Sequence, residues 1–211
     1  MSLQRTASGA ATSRIKVEPK VKGAALLEVL KWYAEAHGTG VLQRAAEKMP
    51  SALRVFVTHP EEPTLGLLAG TWYPAELVTF VFSEMTADLS PPAVRQLAMS
   101  AVRASVGTTL SGIYAGIIRL LVSPKMLADH YQKLWRLYHN TGEFRVIVQA
   151  PTKHEFRLSD WPAHDPFLCS MNLYATGLIL EMIGAKEVSG QLGACVLRGD
   201  DHCSYIQSWK A

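Results

Sequence analysis

Residues 140–149 read Asn-Thr-Gly-Glu-Phe-Arg-Val-Ile-Val-Gln, and the chain changes character inside them. From Phe144 the apolar period is two: Phe144, Val146 and Val148 alternate with Arg145, Ile147 and Gln149, as in a half-buried strand. Phe156 and Leu158 repeat the pattern against Glu155 and Arg157 after a short turn, which predicts a hairpin. Asp165 then stands as an N-cap, with Pro166 at the first helical position and Gly184 past the end. Between them Phe167, Met171, Tyr174, Leu178 and Met182 form one helical stripe. Two last strands, about 187–197 and 202–209, turn around Arg198-Gly199-Asp200-Asp201.

Upstream of residue 140 the period is helical. Ala24, Leu27, Leu30 and Ala34 place a helix over Val21 to His37, Gly38-Thr39-Gly40 breaks it, and a shorter one runs to Lys48. Pro60 and Pro63 mark a loop, and Trp72-Tyr73-Pro74 leads into a helix to about Ala87 carrying Leu77, Val78, Val81 and Met85. Ser90 before Pro91 caps a helix to about Ser105, Leu110–Val122 reads as another, and Ser123 before Pro124 opens one to about His139. A helical half followed by strand-strand-helix-strand-strand is an α+β pattern, with helices on one face of an antiparallel sheet in a single domain. The expected division is a flexible basic tail over 1–21 and a domain over 22–211.

At 211 residues, 48% hydrophobic and 18% charged, the chain can bury a core and is neither disordered nor fibrous. Arg5, Arg14, Lys16, Lys20 and Lys22 face only Glu18 in the first 22 residues, so most of the net charge of +3 sits there and the remainder is near neutral. No basic face follows, and nucleic acid is not an expected partner. The longest uncharged stretches, Ala104 to Ile118 and Pro166 to Leu180, fall short of the ~20 residues of a membrane span. The first residues lack the apolar core of a secretory signal, and the expected location is the cytoplasm.

Catalytic templates do not fit. Gly38-Thr39-Gly40 lacks a third glycine and follows a helix, His154-Glu155 lacks a second zinc-binding histidine, and there is no phosphate-binding loop or nucleophile elbow. The expectation is a protein that is not an enzyme; an unrecognised activity would need His130 or His139 near a carboxylate in a cleft.

Cys195 and Cys203 stand four residues on either side of Gly199, a spacing that sets them opposite each other if Gly199 centres the turn. Cys169 falls in the first turn of the preceding helix, where the dipole favours a thiolate. If that helix packs on the sheet, three sulfurs converge on one metal. Two other readings stay open: three buried apolar thiols, or a cross-strand disulfide, which a reducing compartment disfavours.

The string FLCSMNLYATGLILEMIGAKEV…LGACVLRGDDHCSYIQSW resembles the end of the 4-vinyl reductase-type ligand-binding domain, whose fold is shared with heme-based nitric-oxide sensors and vesicle-tethering TRAPP subunits. Together with KGAALLEVLKWYAEAHG, TWYPAELVTFVFSEM, TLSGIYAGIIRLLVSPKML and LWRLYHNTGEFRV, it is similar to a myxobacterial paralogous family of about this length, from about Lys22 to Trp209. That likeness implies a fold and no activity. Phenol-sensing relatives hold zinc between cysteines spaced as Cys169, Cys195 and Cys203 are, which implies a structural zinc here. Those sensors have a glutamate where Leu192 stands, leaving His202, Asp200 or water as fourth ligand. The heme branch needs a histidine ligand and a Tyr-x-Ser-x-Arg motif; the motif is absent, so heme is not expected. Tethering subunits carry an acylated cysteine near the domain start, whereas these cysteines lie in the last third.

In this fold Trp72, Tyr73, Tyr114, Trp135, Tyr138 and Tyr174 belong to helices that would enclose a ligand, with solid core packing as the alternative. The implied function is a non-catalytic sensor of an apolar or aromatic small molecule, acting through a protein partner. The alternative is a dimeric interaction adaptor like the tethering subunits. A homodimer is expected through Trp72–Met85 and Leu110–Val122, where Gly112 and Gly116 permit close helix approach.

Overall fold

Four strands, β3 (Glu143–Ala150), β4 (Lys153–Ser159), β5 (Lys186–Leu192) and β6 (Cys203–Lys210), form one antiparallel sheet in the order β3-β4-β6-β5. The computed structural model describes residues 17–109 and 123–210. Ahead of the sheet come β1 (Lys20–Lys22), α1 (Ala24–His37), α2 (Gly40–Lys48), α3 (Ser51–Arg54), β2 (Trp72–Pro74), α4 (Ala75–Thr86), α5 (Pro91–Thr109) and α6 (Pro124–Arg136); α7 (Pro166–Met182) joins β4 to β5. This is the α+β layout that the change of period at residue 143 implies. The expected helix Leu110–Val122, with Gly112, Tyr114 and Gly116, lies outside the described residues. Among the described residues no helix is long and apolar enough to cross a membrane.

Alternation sorts the sheet's two faces. Phe144 pairs with Leu158 and Leu158 with Cys203; Phe156 pairs with Tyr205 and Tyr205 with Leu192, so one face is apolar and buried. Glu155 and Arg157 point the other way, joined at 2.7 Å. Helix α7 packs on β5 and β6, and α6 packs on β3. Tyr131 of α6 lies 4.5 Å from Phe144 and 5.2 Å from Phe156, centroid to centroid, while Phe82 of α4 meets Phe167 of α7 edge-on at 5.0 Å. Each fully buried ring of this kind contributes about 1.5–3 kcal/mol.

Two of the three caps read from sequence are seen as side-chain hydrogen bonds. Ser123 Oγ accepts from Met126 N at 3.2 Å, and Asp165 Oδ1 accepts from Phe167 N at 2.8 Å and Leu168 N at 3.1 Å. Helix α6 stops at Arg136, short of His139, and the chain turns through Gly142 at φ 85. A side chain there would be strained and would press on Trp135 and Trp161.

Residues 20–22 correct two expectations. Val21 belongs to a strand, not to the first helix, and Lys20 and Val21 are structured where a tail was expected. The backbone groups past the end of α6 need partners, and β1 supplies them. Lys22 N donates to Tyr138 O at 2.8 Å, Lys20 N to Asn140 Oδ1 at 2.6 Å, and Val21 bridges His139. On its other edge β1 pairs with Trp72-Tyr73-Pro74, which is therefore strand where a run into helix was expected. Helix α4 is apolar on several faces because it is central to the helical half. Leu77, Val78, Val81, Phe82 and Met85 are all buried within this one chain.

The final hairpin also departs from the expected register. Leu192 pairs with Tyr205, and Gly193 and Ala194 then both bond to Ser204 (Gly193 N to Ser204 O and Ser204 N to Ala194 O, each 2.9 Å), a bulge after which Cys195 precedes a 3-10 turn (Val196–Arg198) instead of continuing a strand.

Candidate functional site

Between the helical half and α7 lies a cavity of about 230 Å³. Its wall comes from β1, α1, α4, α5, α6 and the segment after it, and α7, through residues such as Leu26, Val78, Phe82, Leu134, Leu168 and Ile179. Among the described lining residues there is no Asp, Glu, Lys or Arg. Polar atoms enter from Thr79, Ser105, Tyr138, His139 and Asn172.

His139 is held by three contacts. Its ring stacks on Trp135 at 3.5 Å and 4°, Trp161 meets it edge-on at 5.1 Å, and Nδ1 lies 3.2 Å from Trp135 O. A carbonyl only accepts, so Nδ1 carries the proton and Nε2 the lone pair. Burial pushes the imidazole pKa down to about 3, which keeps the ring neutral.

Of the aromatic residues proposed as a lining, Tyr138 is in the wall. Trp72 is 38% exposed on β2, away from the cavity. Tyr73 is buried beside it, its hydroxyl accepting from Leu68 N at 2.7 Å. Trp135 backs His139 from behind, its Nε1 donating to Thr141 O at 2.9 Å. Tyr174 lines a second cavity of about 180 Å³ between α5, α7 and β5, and Tyr114 is outside the described residues. The helical stripe did not separate Trp135 from His139, because the turn past Arg136 rotates the latter inward.

The three thiols are free, and they gather at the start of α7. Cys203 Sγ is the hub: Cys169 Sγ lies 3.8 Å away, Cys195 Sγ 4.0 Å, His164 Nδ1 3.3 Å, and Val196 N donates to it at 3.5 Å. The ligand atoms of His164, Cys169 and Cys203 all lie within 4.8 Å of one another. The hydrogen bond from Cys169 lowers the Cys203 thiol against its burial, with His164 and Val196 N adding to the effect, while donating that bond and being buried push Cys169 up.

The proposed fourth ligands are elsewhere. Asp200 Oδ2 accepts from Cys195 N at 2.6 Å, closing the turn, and His202 pairs with Asp201 at 2.5 Å. The histidine that does reach the sulfurs, His164, was not singled out from sequence. A signal for it exists: with Asp165 as N-cap, His164 is the residue before the cap and Cys169 the fourth helical residue, the two positions that meet when a chain enters a helix.

Asn172, in the cavity wall, donates through Nδ2 to the Tyr205 hydroxyl at 3.3 Å, which ties the cavity to β6.

The sequence matches no family model and no curated protein. The fold is that of solved H-NOX proteins. The Fe(II) unliganded H-NOX protein from K. algicida is 12% identical at a TM-score of 0.66, covering 90% of this chain and 97% of that one. The H-NOX protein from S. oneidensis in the Fe(II)NO ligation state is 14% identical at 0.60, covering 90% and 99%. A structure from work on heme distortion in the H-NOX family is 12% identical at 0.55, covering 90% and 95%. At these identities the likeness is one of fold.

Proposed function

We propose that this protein is a non-catalytic sensor module that binds a small apolar molecule in the cavity between its helical half and α7, and passes occupancy to a protein partner. The observation that carries this is the cavity itself: about 230 Å³ of apolar space with a few oriented polar groups, where a solid core would leave none. It also favours a sensor over an interaction adaptor, which needs no interior space. His139, held neutral, is the one acid–base candidate in the described wall, and no carboxylate stands with it.

For heme, named for the H-NOX family, the described wall offers the His139 imidazole as a ligand, but our reading is a ligand other than heme. Its two propionates would meet no lysine or arginine there, the Tyr-x-Ser-x-Arg motif is missing, and the volume is below the usual range for cofactor sites. Zinc fits the second cluster. Three thiols and an imidazole are a tetrahedral donor set, and we propose His164, Cys169, Cys203 and Cys195 as a structural site tying α7 to the final turn. The 4-vinyl reductase-like and TRAPP-like kinships remain part of this proposal, as does pairing of two copies.

Native mass spectrometry of purified protein, followed by thermal-shift titration with small apolar compounds and separately with hemin, tests the reading. The expected result is stabilisation by the apolar compounds and no Soret shift with hemin. A hemin complex with a shifted Soret band overturns the cofactor reading, and a melting curve unmoved by every compound overturns the sensor.

A further inference from the structure

The cavity wall carries two hydrogen-bond acceptors that the protein leaves unused. Resting on the cavity as a ligand site, we infer that they select the ligand: a neutral, ring-sized apolar molecule that donates an N–H or O–H to His139 Nε2 or Asn172 Oδ1.

The first acceptor is fixed by the backbone. His139 Nδ1–H is spent on Trp135 O, the ring is clamped between Trp135 and Trp161, and Nε2 makes no hydrogen bond among the described residues. The second is on α7. Asn172, in the cavity wall, donates through Nδ2 to the Tyr205 hydroxyl at 3.3 Å, which leaves Oδ1 as the unpaired end of the amide, with no hydrogen bond among the described residues. The described wall holds no fixed charge of either sign, so an anion or a cation would be desolvated there without a counter-charge, which favours an uncharged ligand. Size follows by comparison: an apolar cavity of ~150 Å³ holds benzene, so about 230 Å³ admits a compact bicyclic ring.

Indole and indene, one with an N–H and the other its hydrocarbon isostere, test this by equilibrium dialysis. For the full-length protein the expected preference for indole over indene falls by roughly three- to tenfold in the His139→Phe/Asn172→Leu double variant, while indene binds as before and reports an intact cavity. Since indole has one N–H, one single variant accounts for the loss. Wild-type protein with 1-methylindole needs no substitution and loses at least the same factor. Indole and indene binding with a preference unchanged in the double variant overturns the inference and leaves the cavity as a ligand site. Failure of the wild type to bind either compound overturns both.

Discussion

His164 Nδ1 stands 3.3 Å from Cys203 Sγ, although 39 residues separate them. The contact joins the entry of α7 to the first residue of β6, and it exists because the N-cap turn at Asp165 folds His164 back over Cys169. If the cluster holds zinc, metal binding is folding energy. Protein prepared without chelator carries one zinc by elemental analysis, and at a free metal level a hundredfold above Kd the ion adds ~2.7 kcal/mol, so chelation lowers the melting temperature by about 5–10 °C. Cys203→Ser abolishes both the zinc and the chelator effect. Metal-free protein with an unchanged melting curve returns the cysteines to core packing.

Gly190 and Gln207 are paired across β5 and β6, and Gln207 uses the space a side chain would occupy. A Cβ at Gly190 would come within 2.5 Å of Gln207 Oε1, while Nε2 donates to Leu173 O at 2.7 Å and Thr176 Oγ1 at 2.8 Å, fastening α7 to the sheet. Gln207→Ala costs about 2 kcal/mol from lost hydrogen bonds and a cavity. Gly190→Ala is destabilising in the wild type and nearly neutral in the Gln207→Ala background. Additive losses in a urea-unfolding double-mutant cycle would show that the two do not compete for space.

His139 gives the protein an acid-sensitive stability. Its imidazole titrates near 6.5 when unfolded and is pushed down to about 3 by burial. Between those values the unfolded chain binds a proton that the folded one refuses, so this contribution is complete above pH 6.5 and is lost as pH falls toward 3. His154, buried on the sheet, shifts in the same direction for the same reason. His139→Phe should flatten the dependence of the urea midpoint on pH in this window. An unchanged slope would mean that the cavity accommodates imidazolium.

The fold was legible wherever local chemistry decides it. The period change at Phe144, Asp165 with Pro166, and Ser123 with Pro124 all correspond to element starts. What escaped was set by distant partners. Trp72-Tyr73-Pro74 and Lys20-Val21-Lys22 are too short to show a period and become strands only by pairing with each other. The symmetry of Cys195 and Cys203 about Gly199 assumed an unbroken ladder, but Gly193 and Ala194 both bond to Ser204, a bulge of one extra residue. The two sulfurs lie 4.0 Å apart all the same. For the cavity, aromatic identity was a poor guide: Leu, Val and Ala form most of the wall, and the decisive polar residues, His139 and Asn172, carry no periodic signature.

Filling the cavity separates a ligand site from a packing defect. Ala175 lies on α7 in the wall, and Ala175→Leu extends a side chain into space that is open in the folded chain. In a well-packed core such an enlargement costs about 1–3 kcal/mol; here the added methyl groups gain contacts and displace nothing. The variant should therefore melt at or above the wild-type temperature while losing indene binding. Destabilisation by the full overpacking cost, with indene binding retained, would place the ligand space elsewhere than beside α7.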